Sequence, residues 1–135
     1  MLYDFIYILS AIGLLSLVIL FHELGHFLVG KWCGIKVSTF SIGFGKPLIY
    51  WIDKKGTQWQ LAWFIIGGYV KFSQKVSKHS DDMAFDEASL FKRFMTVLAG
   101  PLASFIFALL TFIFIFIAYG SNSEEPIIGE VSSLP

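Results

Sequence analysis

Two long runs without a charged residue constrain this chain more than any other feature of its sequence. They occupy residues 5–21 and 94–119, and apolar character continues past the first run to residue 30. About 20 helical residues cross a hydrocarbon core of roughly 30 Å, so each run predicts a membrane-spanning helix. The chain is 56% hydrophobic and 15% charged, against about 45–50% and about 25% in soluble domains. A small soluble core could not cover so much apolar surface.

The first run has one alternative interpretation, a cleaved signal peptide. Such a peptide has a basic N-terminal region and a small-residue cleavage site. This chain instead carries Asp4 near its N-terminus and has no Lys or Arg before Lys31. The sequence therefore favours a retained first span over residues 1–30 and a second span over residues 94–119.

The distribution of charge predicts the orientation of these spans. All ten Lys and Arg residues lie between Lys31 and Arg93, and the charged residues near both ends of the chain are all acidic. Basic residues concentrate in cytoplasmic loops, so residues 31–93 are expected in the cytoplasm and both termini outside, unless the basic residues cluster there by chance. The net charge is zero and no basic nucleic-acid motif is present, which excludes a nucleic-acid partner.

The connection between the spans contains two extended segments around a polar turn. Residues 37–44, 47–52 and 58–66 are rich in aromatic and branched side chains, and Asp53-Lys54-Lys55-Gly56-Thr57 interrupts them. This pattern predicts a β-hairpin over residues 37–72. Its tryptophans suit a membrane interface, although a small soluble sheet is the alternative. The predicted fold class is therefore a membrane α-helical protein, with two transmembrane helices joined by a cytoplasmic, membrane-associated hairpin.

The first apolar run ends in His22-Glu23-Leu24-Gly25-His26, an HExxH pattern. Residues four apart lie on nearly the same helix face, so the two imidazoles can bind one metal ion. Glu23 is rotated by about 100° and can reach a water on the metal without being a ligand. The expected metal is Zn²⁺, which accepts nitrogen and oxygen ligands and has no redox chemistry.

The position of the motif inside a predicted span strengthens this interpretation. Ionisable residues at the centre of a spanning helix cost about 2.5–3.5 kcal/mol each and mark function by default. The alternative is that they hold one helix against another. Gly25 and Gly30 would let another element or a substrate approach closely, or they reflect the ordinary abundance of glycine in membrane helices.

The chain resembles the N-terminal portion of a site-2 protease family member of the bacterial regulator-of-sigma-E protease type. The residues that carry the resemblance are His22-Glu23-Leu24-Gly25-His26-Phe27, Phe40-Ser41-Ile42-Gly43-Phe44-Gly45, Gly67-Gly68-Tyr69-Val70-Lys71 and Gly100-Pro101. The resemblance implies an intramembrane metalloprotease of the bacterial inner membrane, with His22 and His26 as zinc ligands and Glu23 as general base. It also implies that residues 37–72 re-enter the membrane and guide an extended substrate strand.

The same resemblance implies substrates and a set of substrate-binding residues. Expected substrates are membrane-spanning proteins, such as anti-sigma-factor-like proteins or signal-peptide remnants. The candidate substrate-binding residues are Gly43, Gly45, Gly67, Gly68, Tyr69 and Ser104. Ser104 stands where the family often has Asn, and Gly100-Pro101 is equally well explained as a plain helix kink.

The sequence departs from the family pattern in its third zinc ligand. A catalytic zinc normally has three protein ligands, and the Leu-Asp-Gly motif that supplies the third in this family is absent from the chain. Cys33 is a weak substitute and is better explained as a small buried residue. Residues 126–131, in the tail formed by residues 120–135, resemble the first strand of a PDZ-like domain. We therefore expect a fragment of a longer protease that does not cleave peptides alone.

Two other functions remain open on the sequence. A degenerate or truncated relative would be a non-catalytic membrane module that binds hydrophobic segments. A metal transporter would instead need ionisable residues spread along several spans, whereas here they are confined to one.

Overall fold

The computed structural model describes residues 1–75 and 82–120. Two long helices flank two long antiparallel strands, in the order α1 (Leu2–Trp32), β1 (Val37–Ile52), β2 (Gln58–Phe72) and α2 (Leu90–Tyr119), with a 3₁₀ turn at Phe85–Glu87. The predicted pair of helices joined by a β-hairpin is confirmed. The expected PDZ-like strand lies outside the described residues.

The helix boundaries differ slightly from the predicted spans. α1 continues to Trp32, and α2 begins at Leu90 rather than at Phe94 because Ser89 provides an N-cap. The Ser89 hydroxyl accepts a hydrogen bond from the backbone N–H of Lys92 at 3.5 Å, as serine does at many helix starts. The first turn of α2 therefore includes Lys92 and Arg93, two basic residues that the sequence pattern placed in the connection between the spans.

Both helices are long and apolar enough to cross a membrane. α1 has 31 residues and α2 has 30, so each is about 45 Å long at 1.5 Å per residue. None of the residues in the most apolar 18-residue stretch of either helix is buried within the protein. Soluble monomers rarely expose an apolar surface of that extent, and the two helices are therefore candidate membrane spans.

The two helices pack closely where α1 has no side chains. A Cβ built on Gly25 would overlap the Ala99 carbonyl and lie 2.6 Å from the Ala103 Cβ. A Cβ built on Gly30 would lie 3.3 Å from the Thr96 Cγ2. The expectation that these two glycines allow another element to approach closely is confirmed. The element is α2 at Gly25, and both β2 and α2 at Gly30, where a built Cβ would lie 2.5 Å from the Phe72 ring.

The hairpin is folded back on itself. Residues 39–42 of β1 pair with residues 68–71 of β2 on one side and with residues 58–61 on the other. The later part of β1, residues 47–52, pairs with residues 58–62. Among the residues that the structure describes, residues 68–72 therefore pair with β1 on one side only, and their other side forms an edge of the sheet.

An aromatic cluster fixes the sheet to α1. Phe27 of α1 lies 5.3 Å from Phe40 and 4.9 Å from Trp59, measured between ring centroids, and Phe27 and Phe40 are both buried. The hairpin turn is held to the end of α1 by the Lys31 ammonium, which lies 3.3 Å from the Asp53 carboxylate. Together these contacts bring the edge formed by residues 68–72 alongside the HExxH motif.

Candidate metal centre

α1 presents the two histidines of the motif side by side. The ring centroids of His22 and His26 are 4.8 Å apart and the rings lie at 80° to each other. Both rings face Gly100 of α2, where a built Cβ would overlap the His26 imidazole and lie 2.8 Å from the His22 Nε2. The Nε2 atoms of both rings therefore converge on a space that any side chain at position 100 would fill.

The other nitrogen of each ring is hydrogen-bonded to α2. The His26 Nδ1 lies 2.8 Å from the backbone carbonyl of Thr96, and the His22 Nδ1 lies 3.0 Å from the Ser104 hydroxyl. A carbonyl only accepts hydrogen bonds, so His26 carries its proton on Nδ1 and leaves the Nε2 lone pair available in the neutral ring. Histidines that bind metal are commonly oriented in this way by a hydrogen bond at the second nitrogen.

These two imidazoles fit a zinc ion by their chemistry and by the space between them. Neutral imidazole nitrogen is a common zinc ligand, and catalytic zinc normally has three protein ligands plus water. Within residues 1–75 and 82–120, no group of three or more His, Cys, Asp and Glu side chains could hold a metal ion. The described part of the chain thus offers a two-histidine portion of such a site. Cys33 lies at the C-cap of α1 as a half-buried free thiol.

The Glu23 carboxylate is hydrogen-bonded to the sheet. Its Oε2 accepts a hydrogen bond from the backbone N–H of Val70 at 3.1 Å. Glu23 and His26 line one cleft of about 420 Å³, which also includes Tyr69, Val70, Phe72, Phe85, Thr96 and Val97. The carboxylate is therefore next to the histidines without sharing their face, the arrangement expected of a proton-transfer group that is not a metal ligand.

The structure brings some of the predicted substrate-binding residues to this cleft. A Cβ built on Gly68 would lie 3.8 Å from the Glu23 Cγ. Tyr69 lines the cleft, and its hydroxyl accepts a hydrogen bond from the Gln60 side chain at 3.1 Å. Ser104 lies against His22 instead of against the sheet.

The three remaining glycines of the predicted set lie where the strands bend. Gly43, Gly45 and Gly67 all have positive φ, at 89°, 94° and 118°. A Cβ built on Gly43 would lie 2.6 Å from the Phe64 carbonyl oxygen, so this position needs glycine for close backbone packing. The structure thus gives these residues a role in shaping the sheet, and their contact with substrate stays a prediction.

Three groups at the site were not assigned a role from the sequence. The Thr96 carbonyl and the Val70 N–H are backbone groups, which carry no signal in the type of residue. Gly100 was noted only as part of a Gly-Pro step, for which a plain kink was an equal explanation. Its proximity to both histidines, 78 and 74 positions earlier in the chain (100 − 22 and 100 − 26), depends on how α1 and α2 pack.

An HExxH motif on a helix, with the Nε2 atoms of both histidines directed to the same space, is the arrangement found in zinc metallopeptidases. The family follows from comparison with known proteins. The model of peptidase family M50 matches residues 10–134, and the chain belongs to this family. The predicted resemblance to the site-2 protease family is thereby confirmed.

Several bacterial proteins are similar to most of this chain. A protein of Agrobacterium fabrum named "putative zinc metalloprotease" is 45% identical over 139 aligned residues, which include 93% of this chain and 37% of the relative. Metalloprotease MmpA of Caulobacter vibrioides is 34% identical, again over 93% of this chain and 37% of the relative. The chain thus spans little more than a third of the length of these curated relatives.

Proposed function

We propose that this chain is the HExxH-bearing part of an intramembrane zinc metalloprotease that hydrolyses peptide bonds in membrane-spanning substrates. The observation that carries the proposal is the convergence of the His22 and His26 Nε2 atoms beside Gly100, with both Nδ1 atoms bonded to α2. Membership of peptidase family M50 supports the same reaction class.

In this proposal His22 and His26 would hold a zinc ion. Bound there, it would supply Lewis-acid chemistry and a water molecule that is reactive near neutral pH. The third protein ligand would come from a part of the longer protease that this chain does not include. Relatives extend well beyond the region matched here, and the isolated chain is therefore proposed to be inactive.

Glu23 is proposed to be the general base. Its carboxylate takes a proton from the attacking water and then delivers it to the leaving amine, a role that carboxylates fill in many hydrolases. The hydrogen bond from Val70 to Oε2 fixes the side chain between the sheet and His26. Glu23 can therefore reach a peptide bond held at the edge of β2.

The edge of β2 at residues 68–72 is proposed to hold the substrate in an extended conformation. Within the described part of the chain these residues pair with β1 on one side only. Apart from the Val70 N–H, which is bonded to Glu23, the other side can accept a further strand, a common way of binding peptides. A helical substrate needs such a site because its amides are hydrogen-bonded and shielded until the helix unwinds. From the family resemblance, the substrates are anti-sigma-factor-like proteins or signal-peptide remnants.

We also propose that α1 and α2 span the bacterial inner membrane, with residues 31–93 in the cytoplasm and both termini outside. Support comes from the exposed apolar surface of both helices and from the confinement of all Lys and Arg residues to the connection. Lys31 lies nine residues after His22, or about 14 Å along α1. The metal would therefore lie below the cytoplasmic surface of the bilayer.

Zinc binding by the purified chain in detergent micelles tests the metal site. We expect one zinc per chain, competed by a chromophoric chelator, with binding lost in His22→Ala and His26→Ala and retained in Glu23→Gln. A chain that binds no zinc, or a His22→Ala variant that binds it equally well, would contradict the proposal. Either result would favour the non-catalytic membrane module.

Cleavage of a membrane-spanning reporter tests the reaction. The longer parent protein should cleave the reporter, and Glu23→Gln should lower the rate by about 10²-fold or more, the usual contribution of a general base. The isolated chain should give no cleavage with added zinc. Cleavage by the isolated chain that disappears in Glu23→Gln would refute the proposed need for a third ligand from elsewhere.

A further inference from the structure

Ser104 forms the only side-chain hydrogen bond that the described residues of α2 make to the histidine pair. Its Oγ lies 3.0 Å from the His22 Nδ1 and 3.3 Å from the backbone carbonyl oxygen of Gly100, to which the hydroxyl donates. The two partners lie on different helices, 82 positions apart in the sequence. Ser104 therefore connects the first histidine of the motif to the backbone of α2.

The direction of these hydrogen bonds determines which nitrogen of His22 can bind a metal. A serine hydroxyl has one proton to donate and lone pairs with which to accept. Because that proton goes to the Gly100 carbonyl, the Ser104 Oγ accepts from His22, which must then carry its own proton on Nδ1. The lone pair of the neutral ring is left on Nε2, the atom that faces Gly100 and His26.

The two histidines are thus held by partners of different kinds. His26 is bonded to the Thr96 backbone carbonyl, which no side-chain substitution at Thr96 removes. His22 is bonded to the hydroxyl of one side chain, which a single substitution removes. The orientation of His22 is consequently the sensitive part of the site.

We propose that Ser104 is a positioning residue for His22, which fixes its tautomer and ring orientation for metal binding, and does not act by touching substrate. The inference rests on the proposed function of His22 as a zinc ligand. It differs from the substrate-binding role that the family resemblance implied for this position.

Zinc affinity gives the first test. Substitution of residues that orient metal-binding histidines typically costs 10–100-fold in affinity, so Ser104→Ala should weaken zinc binding by about 10–100-fold. Ser104→Thr keeps the hydroxyl and should restore binding. The matched control is Thr111→Ala, because the Thr111 hydroxyl donates to the carbonyl of Phe107 at 2.8 Å in the same helix and not to a histidine of the motif.

The tautomer of the metal-free histidines gives a second test that needs no zinc. Long-range ¹H–¹⁵N correlation spectra of the histidine-labelled chain, recorded with chelator at alkaline pH where imidazole is neutral, distinguish a proton on Nδ1 from one on Nε2. Both motif histidines should carry it on Nδ1. In Ser104→Ala the His22 proton should shift to Nε2, while His26 is unchanged.

These measurements separate the inference from the proposed function. If wild-type chain binds no zinc, or binds it without His22 and His26, the proposed function fails. If zinc binding requires both histidines and Ser104→Ala changes neither affinity nor the His22 tautomer, only the positioning role fails. A change at His26 as large as that at His22 would show a general loss of helix packing and would likewise overturn the inference.

Discussion

Gly100→Ala is the smallest change that tests the convergence of the two histidines. Position 100 lies inside α2, where glycine has no conformational advantage, and alanine normally favours a helix by about 0.5–1 kcal/mol. In this structure, however, the added Cβ would overlap the His26 imidazole and lie 2.8 Å from the His22 Nε2. A substitution that should stabilise an ordinary helix is therefore expected to disrupt the proposed metal site.

The expected magnitudes for stability and for metal binding differ. Forcing one extra carbon into a packed contact typically costs about 1–3 kcal/mol, so after the gain in helix propensity the free energy of unfolding should fall by about 0–2.5 kcal/mol. The chain should thus remain folded. The metal site should suffer more, because His26 can avoid the new methyl group only by rotating and weakening its bond to Thr96. We expect zinc affinity to fall at least about 10-fold.

Chelator competition on the purified chain, with circular dichroism as a check on folding, measures both effects. Gly13→Ala provides the control, because a Cβ built on Gly13 in α1 has no neighbour within 4 Å, and it should leave zinc affinity unchanged. Equal zinc affinity in Gly100→Ala and wild-type chain, with both folded, would refute the idea that the metal lies in the space beside Gly100.

Two further predictions concern the attachment of the sheet to α1. Burial raises the pKa of Asp53, but hydrogen bonds from Thr57, Trp59, Lys55 and Lys31 outweigh it and lower the pKa to about 2. Since the folded-state pKa lies below the unfolded one, this stabilisation is present above about pH 4 and is lost as the pH falls toward 2. Asp53→Asn should therefore lower the unfolding free energy by about 1–2 kcal/mol at neutral pH. In denaturant titrations near pH 2 the variant should be as stable as wild type. A stability difference that stays constant across this pH range would contradict a stabilising role of the Asp53 carboxylate. Phe27→Ala should lower the free energy of unfolding by about 3–5 kcal/mol and change Trp59 fluorescence. Phe105→Ala, at a position 67% exposed, should change neither quantity. Equal effects of the two substitutions would refute the idea that Phe27 anchors the sheet to α1.

Much of the architecture could be predicted because it depends on local patterns. Uncharged runs of sufficient length predicted the two helices, and a five-residue polar interruption predicted the hairpin turn. In the structure the Asp53 Oδ1 accepts hydrogen bonds from the backbone N–H groups of Lys55 and Thr57 at 2.8 and 3.0 Å, which is typical turn chemistry for aspartate. Helical periodicity likewise placed His22 and His26 next to each other.

The tertiary relations could not be predicted because no local pattern encodes them. The sequence suggested a simple hairpin, whereas residues 39–42 have partners on both sides. The sequence indicated a membrane interface for the tryptophans, which stays a prediction, and gave no sign that Trp59 packs against Phe27 and Phe40. Each difference arises from contacts between segments that are distant in the sequence. The alternation of apolar and polar residues and the turn residues do not indicate which distant segment a strand or an aromatic ring will contact.

The hydrogen bonds of the HExxH motif also bear on why such polar residues are present in an apolar helix. In the part of the chain that the structure describes, each of the three side chains has one hydrogen-bond partner outside α1: Ser104 for His22, the Thr96 carbonyl for His26 and the Val70 N–H for Glu23. A hydrogen bond contributes about 0.5–1.5 kcal/mol net, less than the roughly 2.5–3.5 kcal/mol that an ionisable residue costs at the centre of a membrane span. In a membrane-inserted α1, packing against α2 and the sheet would therefore offset only part of the cost of the motif. An apolar trio would hold the same helices together at lower cost, so helix adhesion alone does not account for these residues, whereas the proposed metal binding would.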